Sequence, residues 1–453
     1  MAKSTFPSAI TPIYSTSEPN QPITLYEGPI EITQGALAEQ GNGNISFLWL
    51  PFPYIKFVLS ISNFSFKIKL DDPSKDITSL LLSDIGTSVK VSLTSITYDH
   101  NAPKPSLRIT GQPIEPIQIG NGGNLAYILF HIPNFQEYQG KGISSKGNLW
   151  AGRTEFGTNE WSVTIDSILV LSEMKKSLES VGGYAITHVG KLQRTDGTLF
   201  NSSDSISLLE ALQYFLSFAR GFSTSPMLFV GFDGNGNQIW QEWVLWKSDN
   251  WQHADSWFTE DYPESLSNMF PGFWTLWQDS VWNDLTRLTI DWYIQSNIAQ
   301  PDRAIVLIQT TLELLSWIIL VEEGQVLTER GYDSLWASDR LRLLFSRTQI
   351  PLTLNSGQRN LIKLSQTEKW LDAPHALTEI RNRLVHPKID RPKTGSTGKK
   401  GKTAKPRNVL AYPLAARHEA AQLGLWYVER VLMHLFNYNG HHNDHRLIKH
   451  LIT

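Results

Sequence analysis

Apolar and polar residues take turns along much of the first 270 or so residues. In Val89-Lys90-Val91-Ser92-Leu93-Thr94 they alternate one for one, as a strand with one solvated face demands. The stretches ITLYEGPIEI, NISFLWLPFPYIKFVLSI, TSVKVSLTSITY, LAYILFHI, EWSVTIDSILVL and GYAITHVGKLQ are rich in Val, Ile, Thr and aromatic residues, and clusters such as EQGNGN and IGNGGN punctuate them. One helix interrupts the pattern, SDSISLLEALQYFLSFARGF. There Ser207 and Glu210 have the spacing of a capping box, and Gly221 stands where a helix would stop. MLFVGFDGNGNQIWQEWVLW then predicts a hairpin turning at Asp233-Gly234-Asn235-Gly236. The expectation is a β-rich domain over residues 1–272, sandwich or barrel-like, with an embedded helix.

From Phe273 the apolar spacing changes to threes and fours, and five or six helices are expected. FWTLWQDSVWNDLTRLTIDWYIQSN leads into Pro301-Asp302, a fitting start for DRAIVLIQTTLELLSWIILVEE. Further helical stretches follow, with breaks at Gly324, Gly331, Asn355-Ser356-Gly357 and Asp372 that predict antiparallel neighbours in an all-α bundle over residues 273–453. The segment 387–409 carries eight Lys/Arg against one Asp and almost nothing apolar, which predicts a basic loop outside the core. The fold class expected is therefore α+β and multidomain.

Composition adds exclusions. At 453 residues the chain exceeds what one core organises. A net charge of −3 gives no whole-molecule pull toward nucleic acid or membrane, so any such attraction must be local. With no cysteine there are no disulfides, thiolate metal sites or cysteine nucleophiles. MAKSTFPSAITPIY lacks a signal-peptide core, and polar residues interrupt the most apolar run, Ala304 to Val321. The expectation is a soluble, cytoplasmic protein without a membrane span.

The candidate chemistry lies in EIRNRLVHP, Glu379 to Pro387. Asp372 is a good N-cap and Pro374 suits a first turn; Leu377, Ile380 and Leu384 form one apolar stripe. At about 100° per residue, His375, Glu379, Asn382 and His386 gather on the opposite face, and Arg381 flanks the stripe roughly 140° from His386. Pro387 disfavours helical geometry at His386, so the helix should end there with the imidazole free to swing.

Arg381-Asn382-x-x-x-His386 at the end of a penultimate bundle helix resembles the signature of the HEPN superfamily, whose members are helical bundles and in many cases metal-independent endoribonucleases. No other histidine here has an arginine five positions earlier. The resemblance covers Phe273 to Thr453, and IVLIQTTLELL is similar to the earlier HEPN helix in which a glutamate, here Glu313, faces the motif helix. It implies a C-terminal HEPN-like bundle in which Arg381, Asn382 and His386 are catalytic and Glu313, Glu379 and His375 supporting. It further implies a homodimer or larger assembly that joins two motifs, and products with 2′,3′-cyclic phosphate and 5′-OH ends. The residue types suit that reaction. An imidazole titrates near neutrality, a guanidinium is a permanent fork of donors to phosphate oxygens, and an amide can orient either. A β-rich front end on such a bundle resembles abortive-infection and phage-defence proteins of the ApeA kind, which implies a sensor that takes a phage or cellular trigger at the N-terminal domain. The partners expected are RNA, with tRNA among the candidates, and no cofactor or metal is called for. RNA contacts are expected from Lys388, Arg391, Lys393, Lys399, Lys400, Lys402, Lys405 and Arg407, the alternative being that this loop is only a solvated connection.

Other readings compete. An exposed Arg and His at a helix end can simply complement the helix dipole. His375, Glu379 and His386 could ligate a metal, although a polar face explains them more simply. The tail places His441, His442, His445 and His450 close together, as a polar surface or an adventitious metal site. Nine of the sixteen tryptophans fall between Trp240 and Trp292, as core packing or as a stacking platform for bases or sugars. Asp233-Gly234-Asn235-Gly236 is too short for a calcium loop, and no phosphate-cradling loop is present. The rival to a nuclease is a non-catalytic HEPN scaffold whose β domain holds a carbohydrate or protein ligand.

Overall fold

A computed structural model describes residues 6–62, 78–99, 106–386, 412–444 and 446. The chain divides into two compact units, Met1–His253 with Glu260–Ser267 and Ala254–Thr259 with Asn268–Thr453. The first is β-rich and the second helical, an α+β multidomain protein.

The first unit opens with strands β1 (Ile23–Gln34), β2 (Leu37–Leu48), β3 (Tyr54–Ser62), β4 (Thr78–Leu82), β5 (Thr87–Asp99) and β6 (Ser106–Pro113), closed into an antiparallel barrel in the order β1-β2-β3-β6-β5-β4. Closure leaves no free edge, and alternate residues fill the interior, among them Ile30, Phe47, Phe57, Leu59, Leu80, Val91 and Ile109. EQGNGN, expected to punctuate strands, instead lies inside β2. The reason is steric: a Cβ at Gly41 would meet the Ser60 carbonyl oxygen at 2.3 Å, so glycine there admits a backbone approach that no side chain allows.

β7 (Ile117–Ile119), β8 (Tyr127–Pro133), β9 (Lys141–Ser145), β10 (Asn148–Gly157), β11 (Trp161–Ser167), β12 (Ile186–Arg194), β13 (Met227–Phe232) and β14 (Gln238–Trp243) form an eight-stranded sheet in the order β7-β14-β13-β8-β12-β11-β10-β9. The hairpin between β13 and β14 turns as expected. Asp233 Oδ1 accepts from the backbone N–H of Asn235 and Asn237 at 2.9 and 2.8 Å. Two helices belong to this part, α1 (Leu171–Val181) and α2 (Ser202–Arg220). The first was hidden behind a strand-like lead-in and shows itself only in the spacing of buried Leu171, Met174 and Leu178. For α2 the expected box at Ser207 and Glu210 is corrected: Asn201 caps the helix and Asp204 completes the box, while Gly221 closes it in the left-handed region at φ 84°.

His131 and His188 are wholly buried between these elements. The Leu228 carbonyl can only accept, so His131 Nδ1 carries the proton, 3.1 Å away, and Nε2 accepts from the Tyr14 N–H at 3.1 Å. Burial pushes His131 down to about 4 and His188 to about 3.

The helical unit holds α4 (Trp282–Asn297), α5 (Pro301–Trp317) running into a π-helical turn (Ile318–Glu322), α6 (Glu329–Asp333), α7 (Ala337–Arg347), α8 (Arg359–Glu368), α9 (Ala373–Val385) and α10 (Leu414–Leu435). The division between Ser267 and Asn268 falls within the helix α3 (Glu264–Gln278), as does the boundary expected between residues 272 and 273. The stretch FWTLWQDSVWNDLTRLTIDWYIQSN divides between α3 and α4 at Asp279, whose carboxylate accepts from the N–H groups of Val281 and Trp282 at 2.9 and 3.0 Å. Gly331, expected as a break, lies within α6.

α5 is the central helix, packed against α4, α7, α9 and α10. Its segment Pro301–Glu322 is long and apolar enough to cross a membrane, with mean hydropathy 2.1, yet 61% of that window is buried, as in a core helix. α10 approaches so closely that a Cβ at Gly424 would lie 2.5 Å from Ile308 Cγ2.

The buried imidazoles make the β-rich unit sensitive to acid. Their folded values lie below the ordinary value of about 6.5, so the stability they contribute is complete above pH 6.5 and is lost as pH falls toward 4. Urea midpoints should hold nearly level from pH 7.5 to about 6.5 and fall from there to pH 5; a profile that stays flat below pH 6.5 would contradict the buried neutral rings.

Candidate functional site

α9 starts where the sequence says it should. The Asp372 carboxylate accepts from the His375 backbone N–H at 3.0 Å, and Pro374 stands in the first turn. The helix ends at His386, whose φ and ψ of −123° and 68° have left the helical region one residue before Pro387. Leu377 and Ile380 are fully buried and Leu384 half-buried, so the stripe faces the bundle core as read.

Asp372 also receives Arg342 of α7, Nε at 2.6 Å and Nη2 at 3.0 Å, and Arg342 bonds Asp339 on its own helix. Asp372 holds Arg342 above its ordinary value. The bridge joins the first turn of α9 to the middle of α7 and leaves a groove of about 380 Å³ beside it. His375, Thr378, Glu379 and Asn382 supply its α9 wall, and Trp336, Ala337 and Asp339 line it from the start of α7.

The structure thus brings together three of the four residues expected on the polar face. His375 is held by its ring, Nδ1 accepting from the Leu371 N–H at 3.1 Å. His386 is not among the lining residues; it is exposed at the helix end. Arg381 is half-buried, and its Nη1 donates to Asn382 Oδ1 at 3.3 Å. Its Nε is buried without a partner, and among the described residues no carboxylate pairs with it. Glu313 on α5 accepts from Gln309 Nε2 at 2.9 Å and makes no hydrogen bond to Arg381 or His386 among the described residues, although α5 and α9 pack together. The eight loop cations, Lys388 to Arg407, lie outside the described residues.

Among the described residues no group of three or more His, Asp or Glu side chains could hold a metal ion. In the tail, both ring nitrogens of His442 lie 3.2 Å from Arg430 Nη1, and burial and that guanidinium hold the ring below its ordinary value. His445 and His450 lie outside the described residues.

Sequence reasoning missed the opposite wall. Trp336, Asp339 and Arg342 stand more than 30 positions before the motif, and nothing in SLWASDRLR says that it meets α9. The tryptophan-rich stretch proved to be packing: none of the nine from Trp240 to Trp292 is exposed. Of all sixteen, Trp336 alone is exposed, at 81%.

The chain matches the YopA central domain over residues 120–254 and the YopA C-terminal domain over residues 279–451. It is 24% identical over 428 residues to the SPbeta prophage-derived uncharacterized protein YopA of Bacillus subtilis (strain 168), covering 93% of this chain and 91% of that protein. No solved structure matches it. The central-domain match takes in all of the eight-stranded sheet beyond β7, and the C-terminal match contains both walls of the groove.

Asp372→Ala removes a cap worth about 1 kcal/mol and a charged hydrogen-bond partner worth about 1.5–3 kcal/mol. It should destabilise the helical unit by about 2–4 kcal/mol in urea unfolding. Asp372→Asn keeps the cap and should recover about 1 kcal/mol of that loss; equal losses in the two variants would mean that the cap is idle.

Proposed function

We propose that the helical unit is a metal-independent endoribonuclease of the HEPN type, acting as a homodimer or larger assembly, with the β-rich unit as its sensor. The observation that carries this reading is the contrast between two arginines. Arg342 is neutralised by Asp372 and Asp339, whereas Arg381, beside the groove, has among the described residues only a neutral amide oxygen as partner. A half-buried guanidinium without a carboxylate is a site for an anion, and its fixed fork suits phosphate oxygens.

The chemistry follows from these groups. An unprotonated His386 imidazole accepts the 2′-OH proton while the 2′-oxygen attacks phosphorus. The P–O5′ bond breaks and O5′ takes a proton from a protonated imidazole, which leaves a 2′,3′-cyclic phosphate and a 5′-OH. Arg381 stabilises charge on the non-bridging oxygens, and Asn382 orients Arg381 through its Oδ1. In an in-line displacement the attacking 2′-oxygen and the leaving 5′-oxygen lie on opposite sides of phosphorus, so one imidazole does not reach both, and a second copy of the chain supplies the other. Exposure of His386 at the helix end leaves it accessible to that copy. On this reading the chain is a defence effector that cleaves cellular RNA, tRNA among the candidates.

Total RNA incubated with the protein in excess EDTA should be cut to 5′-OH ends. Arg381→Ala and His386→Ala should each lower the rate at least about 100-fold, the low end of what general acid–base catalysis contributes. Cutting by both variants at the wild-type rate would remove the motif from the chemistry. Equal amounts of Arg381→Ala and His386→Ala chains mixed as heterodimers report whether the two motifs share one centre.

A further inference from the structure

The groove beside Asn382 asks for an occupant of its own. Its volume of about 380 Å³ is near the low end of the roughly 300–1,000 Å³ typical of small-ligand sites. Its charge is wrong for phosphate: Glu379 and Asp339 line it, and the one lining cation, Arg342, is spent on Asp372 and Asp339. What such a groove attracts is a planar group with hydrogen-bond donors along one edge.

The geometry points to a guanine base. Trp336, left 81% exposed at the start of α7 while every other tryptophan of the chain is at least half-buried, supplies a face for stacking. Glu379 has no hydrogen-bond partner among the described residues, and its two carboxylate oxygens match the adjacent N1–H and N2 amino donors of guanine. No other common base presents two donors side by side. Asn382, three residues on and on the same helix face, has its Oδ1 engaged by Arg381, so its amide nitrogen remains to donate to guanine O6. His375 accepts at Nδ1 from Leu371, so its neutral ring carries the proton on Nε2, a further donor at the rim. Thr378 also lines the groove, and its hydroxyl is buried without a partner.

This inference rests on the nuclease reading, because it names the nucleotide held next to the arginine-bearing centre. Asn382 touches both, so the scissile phosphate would adjoin the bound guanosine. Its test needs no catalysis. Binding of 5′-GMP, 5′-IMP, 5′-AMP, 5′-CMP and 5′-UMP to the full chain is measured by calorimetry in EDTA. GMP should bind most tightly, and IMP, which lacks the N2 amino group, about 10-fold or more weaker, as the loss of one charged hydrogen bond implies. Trp336→Ala and Glu379→Gln should each weaken GMP about 10-fold or more, while Trp336→Phe, which keeps a stacking face, retains most of it. Equal affinity for all five nucleotides, no binding of any, or GMP affinity unchanged in Glu379→Gln would each overturn the proposal. So would a wild-type chain that ignores GMP but loses self-association in Trp336→Ala, since a second copy would then cover the tryptophan. If GMP binds as described and no RNA is cut, the nuclease reading fails and the base site stands. If RNA is cut without preference beside guanosine and GMP does not bind, the reverse holds.

Discussion

One carboxylate sets the geometry on which the site depends. Asp372 Oδ1 accepts from the His375 N–H and from Arg342 Nη2, and Oδ2 from Arg342 Nε, so a single side chain both starts α9 and fixes it to α7. The two partners are 13% and 24% exposed, which puts their attraction in a medium less polar than water and makes it stronger than an open surface pair. Because the guanidinium is held at two nitrogens, α9 can neither slide nor rotate relative to α7 without breaking a charged hydrogen bond. The width of the groove follows from that constraint.

The same bridge decides the electrostatics. With Arg342 consumed, the groove keeps its carboxylates and the neighbouring Arg381 has no carboxylate partner among the described residues. Two regions of opposite character therefore lie next to each other on one helix, a donor-seeking groove at Glu379 and an anion-seeking guanidinium at Arg381. Successive residues point about 100° apart, so Arg381 and Asn382 can face different directions and still touch. Beneath them Leu377 and Ile380 pack into a core whose centre is α5, and the close approach that Gly424 allows keeps that core narrow.

Legibility differed from place to place for physical reasons. The barrel strands, the Asp233 turn, the cap at Asp372 and the stop before Pro387 are local events, written in adjacent residues. EQGNGN misled because a glycine that permits a turn and a glycine that permits close backbone approach are the same residue, and only the neighbour at Ser60 distinguishes them. Ser207 and Glu210 misled because Asn201 and Asp204, six residues earlier, have the same spacing and reach the first free N–H groups of the helix. At the site, the α9 wall was readable from helical spacing. The α7 wall was not, because a contact between residues 336–342 and 371–382 depends on how helices pack, and sequence spacing carries no record of it. Glu313 was expected to face the motif, and it bonds Gln309 on its own helix.

On the proposed reading, a groove for a base and a guanidinium for a phosphate would divide the labour that RNA cleavage requires. Stacking and edge contacts are insensitive to salt and select a nucleotide, whereas the charge on Arg381 acts where the transition state gathers negative charge. A single chain carries one of each. Pairing two chains about a two-fold axis would bring two imidazoles to one phosphate and place a base-holding groove on either side of it. Selectivity would then come from each protomer alone and turnover only from the pair, so a chain kept monomeric would still hold its nucleotide and leave the backbone intact. That separation is what a sensor-controlled nuclease needs, because association, and not the site itself, becomes the step that a signal can govern.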